Sequence, residues 1–123
     1  MKIILAVGIG SCIGGICRYL LSIFIQNKYL SSFPFGTLSV NIIGCLLIGI
    51  VFGVSEKSLL SIEWRMFLVT GFLGGFTTFS SFSNETIGLI RDGQYWPALT
   101  YVGASVVVGL LATFIGISLI KML

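Results

Sequence analysis

The residues best suited to chemistry lie in one hydrophobic stretch, positions 71–85, which reads Gly-Phe-Leu-Gly-Gly-Phe-Thr-Thr-Phe-Ser-Ser-Phe-Ser-Asn-Glu. The stretch places glycines, hydroxyls and phenyl rings where plain leucine or valine would suit a bilayer better. In hydrocarbon, non-helical backbone is tolerated only where protein buries it or where it lines a cavity. A glycine- and threonine-rich interruption of a spanning helix therefore predicts a binding or conduction site.

Phe79 and Phe82 share one face of this stretch, and serine or threonine fills the positions around them. An aromatic stripe usually packs in a core or faces lipid, but so many hydroxyls are unusual on a lipid face. A phenyl ring has a positive edge and a negative face. Ring edges turned into a narrow pore could approach a small anion without a fixed cation that would trap it, and conduction requires such weak binding.

Further polar pairs fall in the other hydrophobic stretches. Thr37 and Asn41 are four residues apart and so share a helix face, and Tyr101 and Ser105 repeat that spacing. Asn41 needs a partner in the membrane, so it serves either an interhelical hydrogen bond or a polar path that its amide N–H groups line. Ser105 fits either a hydrogen bond to the preceding helical turn or the same kind of path.

Arg18 and Glu85 are the charged residues nearest the membrane interior. Burying an ionisable group there costs free energy, so its presence indicates a function by default. Arg18 either reaches the interface or supports a polar network that holds the first helix, and the role of Glu85 stays open. Cys12, Cys17 and Cys45 lie in apolar stretches without histidine or metal-ligand spacing, which predicts packing rather than a disulfide. No pair of nucleophile and base is present, so we expect no enzyme.

Four helices must position these residues. The 123 residues are 56% hydrophobic and 9% charged with a mean hydropathy of +1.10, whereas soluble domains carry about 25% charged residues. Apolar blocks cover about 3–25, 35–54, 67–90 and 97–120, each near the roughly 20 residues that cross a bilayer. These blocks predict an all-α integral membrane protein, a single subunit over residues 1–123 with the third helix broken. The first block begins like a signal peptide, but its length and the lack of a small-residue cleavage site predict that it is retained.

The distribution of charge leaves the orientation nearly undecided. Four spans put both termini on one side, which holds four basic residues: Lys2, Lys57, Arg65 and Lys121. The other side holds Lys28 and Arg91, and Arg18 makes three if its side chain extends toward the end of the first helix. Because lysine and arginine set orientation, the chain either prefers its termini inside or inserts both ways and forms an antiparallel dimer. The net charge of +3 is spread over helix ends and does not suggest nucleic-acid binding.

Pairs of small residues four positions apart occur in every predicted helix. Such pairs let helices approach closely, and here they are Gly10/Gly14, Gly49/Gly53, Gly71/Gly75 and Ser105/Gly109. Each pair alone fits packing within the subunit, whereas together they favour oligomerisation.

Over essentially its whole length the chain resembles the Fluc/CrcB family of fluoride channels. The resemblance is carried by Gly-Gly-Ile-Cys-Arg-Tyr at 14–19, Gly-Thr-Leu-Ser-Val-Asn at 36–41 and, most specifically, by positions 71–82. It implies a dual-topology antiparallel homodimer, multi-pass in the inner (plasma) membrane, that passively exports cytoplasmic fluoride through two pores lined by both subunits. Gly109 stands where the family often has a further serine, so the polar track of the fourth helix would either end earlier or be continued by a water molecule.

The resemblance also implies roles for the pore residues. Phe79 and Phe82 would turn their ring edges toward the fluoride ion, and Asn41 would be a side-chain donor from the second helix. Tyr101 and Ser105 would belong to a polar track on the fourth helix.

Five more residues receive roles from the resemblance. Thr37 and Arg18 would lie at the vestibule and Glu85 near the pore. The backbone carbonyls of Gly74 and Thr77 from both subunits would hold a structural Na⁺ ion at the centre of the dimer, since unwound carbonyls coordinate Na⁺ in membrane proteins.

Two other classes of protein share part of the pattern. A small dual-topology drug/proton antiporter matches in size and charge balance but relies on a glutamate in the first helix, where this chain has Arg18 and no acid. A helper subunit of a larger membrane complex would explain the glycines but not the phenylalanine, threonine and serine register of the third helix.

Overall fold

The computed structural model describes residues 1–57 and 59–123, and regular structure in those residues is helical. Helix α1 covers Lys2–Gln26 and α2 covers Phe35–Glu56. The third span starts with Ile62–Met66, continues through a π-helical stretch, Phe67–Leu73, and a last turn, Gly74–Phe76. We number this segment, residues 62–76, α3. After an interruption the span resumes as α4, Phe79–Arg91, and α5 covers Tyr95–Met122.

Four helical segments of the described chain are long and apolar enough to cross a membrane: Lys2–Gln26, Phe35–Glu56, Ile62–Arg91 and Tyr95–Met122. The predictions of an all-helical fold, of four spans and of a broken third span are therefore confirmed. The chain is a multi-pass membrane protein by length and composition of its helices.

The third span begins earlier than the sequence predicts, at Ile62 rather than near residue 67. Ser61 caps this helix, since its side chain accepts a hydrogen bond from the Trp64 N–H at 3.4 Å. Glu63 lies in the first turn, where a negative charge is stabilised by the helix dipole. Hydropathy missed this turn because its residues are polar or interfacial.

Close helix contacts rest on glycine. A Cβ atom added at Gly14 of α1 would collide with the carbonyl oxygen of Phe72 in α3. A Cβ added at Gly49 of α2 would likewise collide with the carbonyl oxygen of Thr113 in α5. Several of the small-residue pairs thus serve packing within the subunit. Gly74 differs, because a Cβ added there would meet no heavy atom of residues 1–57 and 59–123 closer than 3.8 Å.

A single glutamine closes the connector between α1 and α2. The Gln26 Nε2 donates to the carbonyl oxygens of Ser31 and Phe33, and its Oε1 accepts from the Gly36 N–H, each at 3.1 Å. The residue that precedes α2 provides no side-chain cap, so Gln26 satisfies one of the unpaired donors at the start of that helix. This contact fixes the first turn of α2, which carries Thr37.

Tyr101 is the centre of the buried apolar cluster. It is 0% exposed and packs with Leu89 and Ala98, and partly buried side chains of Phe33, Leu38 and Phe82 surround this group. The cluster packs the start of α5 against α4 and against the connector between α1 and α2. It therefore fixes the position of Tyr101 relative to Phe82.

Candidate functional site

The third span is interrupted at Thr77 and Thr78. Their backbone is extended, with φ −91° and ψ 157° at Thr77 and φ −149° and ψ 115° at Thr78. The Thr77 hydroxyl donates to the Leu73 carbonyl oxygen at 2.9 Å and so closes the preceding turn. The Thr78 hydroxyl oxygen accepts from the Ser81 N–H at 3.2 Å and so caps α4. Two adjacent threonines therefore end one helix and begin the next inside a span.

Asn41 of α2 pairs with the interrupted backbone. Its Nδ2 donates to the Thr78 carbonyl oxygen at 3.1 Å, and its Oδ1 accepts from the Thr78 N–H at 2.8 Å. Both backbone groups of Thr78 thereby find partners, as burial in a membrane requires. The Asn41 amide carries a second hydrogen, and Asn41 also lines a cavity. A hydrogen bond between helices and a place on a polar path, the two interpretations of Asn41 from the sequence, are therefore compatible.

We expect Asn41→Asp to lower the free energy of unfolding by about 1–3 kcal/mol, the usual effect of leaving a buried polar group unpaired. The substitution replaces the Nδ2 donor by an oxygen that faces the Thr78 carbonyl oxygen. The measurement is the midpoint of unfolding in sodium dodecyl sulfate, followed by circular dichroism. Asn84→Asp is the matched control, because Asn84 is exposed on α4. Equal shifts of the midpoint in the two variants would contradict the role given to Asn41.

Glu85 of α4 accepts hydrogen bonds from two other helices. The Thr37 hydroxyl donates to its Oε1 and the Tyr101 hydroxyl donates to its Oε2, each at 2.7 Å. Thr37 is 6% and Tyr101 0% exposed, so both hydroxyls depend on this partner. A length of 2.7 Å is typical of well-formed O–H···O hydrogen bonds and lies at the upper end of the range for a hydroxyl that donates to a carboxylate. This network joins α2, α4 and α5.

The rings of Phe79, Phe82 and Tyr101 form a row. The centroids of Phe79 and Phe82 are 5.5 Å apart with planes at 44°, and those of Phe82 and Tyr101 are 5.2 Å apart with planes at 55°. Such tilted pairs favour contact of a ring edge with a ring face. Phe79 is 79% exposed in the single subunit. The row therefore runs from the surface of the subunit to the network around Glu85.

Two cavities share Thr78 as a wall residue. The larger measures about 420 Å³, and its polar and aromatic wall includes Asn41, Thr77, Phe79, Phe82 and Ser105. The smaller measures about 170 Å³, and its wall includes Arg18, Ser22, Thr37, Ser81 and Glu85. The interruption of the third span thus borders two spaces that hydroxyl, amide and ring groups line together with apolar side chains.

Most residues predicted for the site meet at these cavities. Tyr101 lines neither cavity but joins the smaller one through its hydrogen bond to Glu85. Ser105 lines the larger cavity, and its hydroxyl oxygen is buried without a hydrogen-bond partner among residues 1–57 and 59–123. The Arg18 Nε donates to the Gly75 carbonyl oxygen at 3.1 Å, so this arginine holds the end of α3 while lining the smaller cavity.

Sequence reasoning missed some residues of this site. Ser22 lines the smaller cavity, and its position one turn after Arg18 was a usable signal. Cys45 lines the larger cavity, one turn after Asn41, although its residue type predicted only packing. Gln26 had no signal in the sequence, because its three hydrogen bonds depend on how the connector turns back.

The carbonyl groups of Gly74 and Thr77 lose their helical partners at the interruption. In a continuous helix they would accept from the N–H groups of Thr78 and Ser81. Those two N–H groups are bonded instead to Asn41 Oδ1 and to Thr78 Oγ1. Gly74 and Thr77 both line the larger cavity. Carbonyl oxygens released in this way are the ligands by which broken membrane helices coordinate Na⁺.

A broken span surrounded by polar side chains is typical of multi-pass membrane proteins that move ions or solutes, and this small chain falls in that class. Comparison with known proteins gives the family. The model of the family described as CrcB-like protein, Camphor Resistance (CrcB), matches residues 5–117. The chain belongs to this CrcB family.

Curated relatives carry a more specific name. A protein of Parabacteroides distasonis named Fluoride-specific ion channel FluC is 50% identical over 113 residues, which cover 92% of this chain and 88% of that protein. A protein of the same name from Flavobacterium psychrophilum is 45% identical over 122 residues, 98% of each chain. A third, from Phocaeicola vulgatus, is 42% identical over 117 residues, 95% of this chain and 97% of the relative.

Proposed function

We propose that this protein is a fluoride channel that lets cytoplasmic fluoride leave the cell passively. The observation that carries the proposal is the interruption at Thr77 and Thr78, which brings neutral donors and the rings of Phe79 and Phe82 to one cavity. The names of the curated relatives support the same substrate. No chemical transformation is involved, so the protein is not an enzyme.

Fluoride is small and strongly hydrated, so a dry path must replace its water. In the proposed path the donors are the hydroxyl of Ser105 and the second amide hydrogen of Asn41, with the ring edges of Phe79 and Phe82 between them. The buried, unpartnered Ser105 hydroxyl supports this step, since an orphaned donor in a membrane is costly unless a ligand satisfies it. Weak contacts at several sites allow the ion both to enter and to leave.

We propose that the working unit is an antiparallel homodimer of dual topology, with two pores lined by both subunits. Each subunit would be the single four-helix unit of residues 1–123. Phe79 is 79% exposed, and a Cβ added at Gly74 would meet no heavy atom of the described residues closer than 3.8 Å. Packing within the single subunit therefore does not require either residue type. A second copy on this face would use both. The basic residues at the two sides are nearly balanced, four against three when Arg18 is counted with Lys28 and Arg91, and this supports insertion in both directions.

A structural Na⁺ ion at the centre of this dimer fits the donors that are present. The carbonyl groups of Gly74 and Thr77 have lost their helical donors, because the N–H groups that they would bind have other partners. Carbonyl oxygen suits a hard cation, and the twofold axis would double the two oxygens of one subunit. When bound, the ion would neutralise the dipoles of four converging carbonyls and hold the two interruptions together.

Passive movement suffices for protection against fluoride. Hydrogen fluoride crosses membranes as a neutral acid and releases the anion in the less acidic cytoplasm, where it is trapped. The negative interior of a cell then drives the anion outward through any selective path, since each charge gains about 2.3 kcal/mol per 100 mV. The inner (plasma) membrane is accordingly the proposed location.

Fluoride efflux from liposomes that carry the purified protein tests this proposal. We expect efflux at least about tenfold above that of protein-free liposomes, a difference of about 1.4 kcal/mol in the barrier. Deletion of the gene should also sensitise cells to fluoride, most strongly at low external pH. A drug/proton antiporter or a helper subunit would give neither result, and efflux at the protein-free rate would refute the proposal.

A further inference from the structure

We propose that the carboxylate of Glu85 is a built-in competitor for the hydroxyl donors of Thr37 and Tyr101, and that this competition excludes anions that are weak hydrogen-bond acceptors. The inference rests on the proposed function, and it extends the proposed path from the larger cavity to the smaller one, which shares Thr78 as a wall residue. It assigns Glu85 a role in specificity that differs from simply lining the path.

The geometry shows that the two donors are already occupied. A hydroxyl group carries one hydrogen, and the hydrogens of Thr37 and Tyr101 both point to Glu85 oxygens at 2.7 Å. Both hydroxyls are buried from bulk solvent, with Thr37 6% and Tyr101 0% exposed. Thr37 and Glu85 line the smaller cavity, and Tyr101 lies behind Glu85. An anion there can therefore be bound by the Thr37 hydroxyl only after the carboxylate releases it, and by the Tyr101 hydroxyl only after the carboxylate moves aside.

The carboxylate is held by neutral groups and not by an ion pair. In residues 1–57 and 59–123 the ion pair present joins Lys121 to Glu56, with nitrogen and oxygen 3.5 Å apart. Arg18 lines the same cavity as Glu85, but its Nε donates to the Gly75 carbonyl oxygen. Two like charges at short range repel strongly where water is scarce, so an entering anion must displace the carboxylate to remain.

This exchange favours a small, basic anion. Fluoride accepts short hydrogen bonds comparable to those that the carboxylate gives up. Replacing the carboxylate by fluoride at the two hydroxyls therefore costs little free energy. Chloride is larger and a weaker acceptor, and its longer contacts do not replace two charge-assisted hydrogen bonds of 2.7 Å. A site built around hydrogen-bond donors rejects a ligand that leaves them poorly paired. Selectivity then comes from the competitor as well as from the size of the path.

Glu85→Ala tests the proposal, because it removes the competitor and leaves both hydroxyls. We expect the ratio of fluoride to chloride efflux from liposomes to fall by about tenfold or more, with chloride efflux rising above the wild-type rate. Glu85→Gln retains one acceptor oxygen and should give an intermediate ratio. Glu63→Ala removes an exposed acid of α3 and should leave the ratio unchanged. A merely structural loss would lower both fluxes together, and that result overturns the proposal.

A second measurement does not depend on the folding of a Glu85 variant. The sequence has four acidic residues, so the triple variant Glu56→Gln, Glu63→Gln, Asp92→Asn keeps Glu85 as its sole acidic side chain. Adding fluoride to this variant should shift the infrared stretching bands of the side-chain carboxylate, whereas equal chloride should not. The absence of a shift, in protein that conducts fluoride, overturns the inference alone. Wild-type protein without fluoride efflux contradicts the proposed function itself.

Discussion

Fluoride efflux from proteoliposomes is expected to fall to the background rate when Phe79 or Phe82 is replaced by isoleucine, while the proposed dimer still forms. Isoleucine preserves an apolar side chain but has no ring, so the positive ring edge is lost. An anion that meets only methyl groups in this dry path has nothing to replace its water. We expect a loss of more than about a hundredfold, equivalent to about 2.7 kcal/mol in the barrier.

Phe79 is the more informative of the two residues. Because its side chain is 79% exposed in the subunit, its replacement changes little of the packing within one chain. Phe82 also contacts Tyr101, with ring centroids 5.2 Å apart, so Phe82→Ile can loosen the core as well as the path. A lost flux in Phe79→Ile with an unchanged unfolding midpoint would therefore locate the effect in conduction.

A fluoride electrode measures the efflux, and size-exclusion chromatography in detergent reports the oligomeric state. Phe24→Ile is the matched control, since Phe24 is 60% exposed on α1 and lines neither cavity. The control should conduct at the wild-type rate. Unchanged efflux in both Phe79→Ile and Phe82→Ile would remove the rings from the pore.

The sequence predicts the spans and the interruption because both depend on local composition. Long apolar blocks have one stable arrangement in a bilayer, as helices. The interruption follows from threonines and glycines that would be poor choices for a lipid-facing helix, and the extended backbone at Thr77 and Thr78 agrees with this reasoning. The first turn of α3 escaped prediction because Ser61 and Glu63, both polar, begin it.

The pairing of side chains across helices could not be read from the sequence. Asn41 meets Thr78 across 37 residues and Thr37 meets Glu85 across 48, and both contacts depend on the rotation and height of α2 relative to the third span. Hydropathy does not report either quantity. The sequence thus indicated which residues are polar within the membrane, whereas the structure shows that Asn41 holds the interrupted backbone and that Glu85 holds two donors.

The glycine pattern also needed the structure for its interpretation. Gly14 and Gly49 are required within the subunit, because a side chain at either would strike the backbone of a neighbouring helix. Gly74 has no such neighbour. A sequence count treats these three alike, since the partner of each is set by tertiary packing. Of the three, Gly74 is the one whose surroundings within the subunit leave room for an interface.

Gly74→Cys, in a chain whose native cysteines are replaced by alanine, is expected to form a disulfide-linked dimer almost completely under mild oxidation. A Cβ at this position fits within the subunit, as its nearest heavy atom is 3.8 Å away. In the proposed dimer the twofold axis runs close to the interruption of the third span. Gly74 of one subunit therefore lies near Gly74 of the other subunit. A disulfide requires Cα atoms closer than about 7 Å, which makes the crosslink specific to this arrangement.

The orientation of the two copies is tested by a second position. Ile4 is 71% exposed near the start of α1, and in an antiparallel dimer its two copies lie on opposite faces of a bilayer about 30 Å thick. Ile4→Cys should therefore not crosslink, whereas a parallel dimer would allow it. Met122→Cys, which leaves the charge balance unaltered, should be labelled to about one half by an impermeant maleimide on intact cells if insertion is dual. Complete labelling or none, together with a crosslink at Ile4→Cys, would indicate a parallel dimer. The carbonyl groups of Gly74 and Thr77 from the two subunits could then not meet across a twofold axis in the membrane plane.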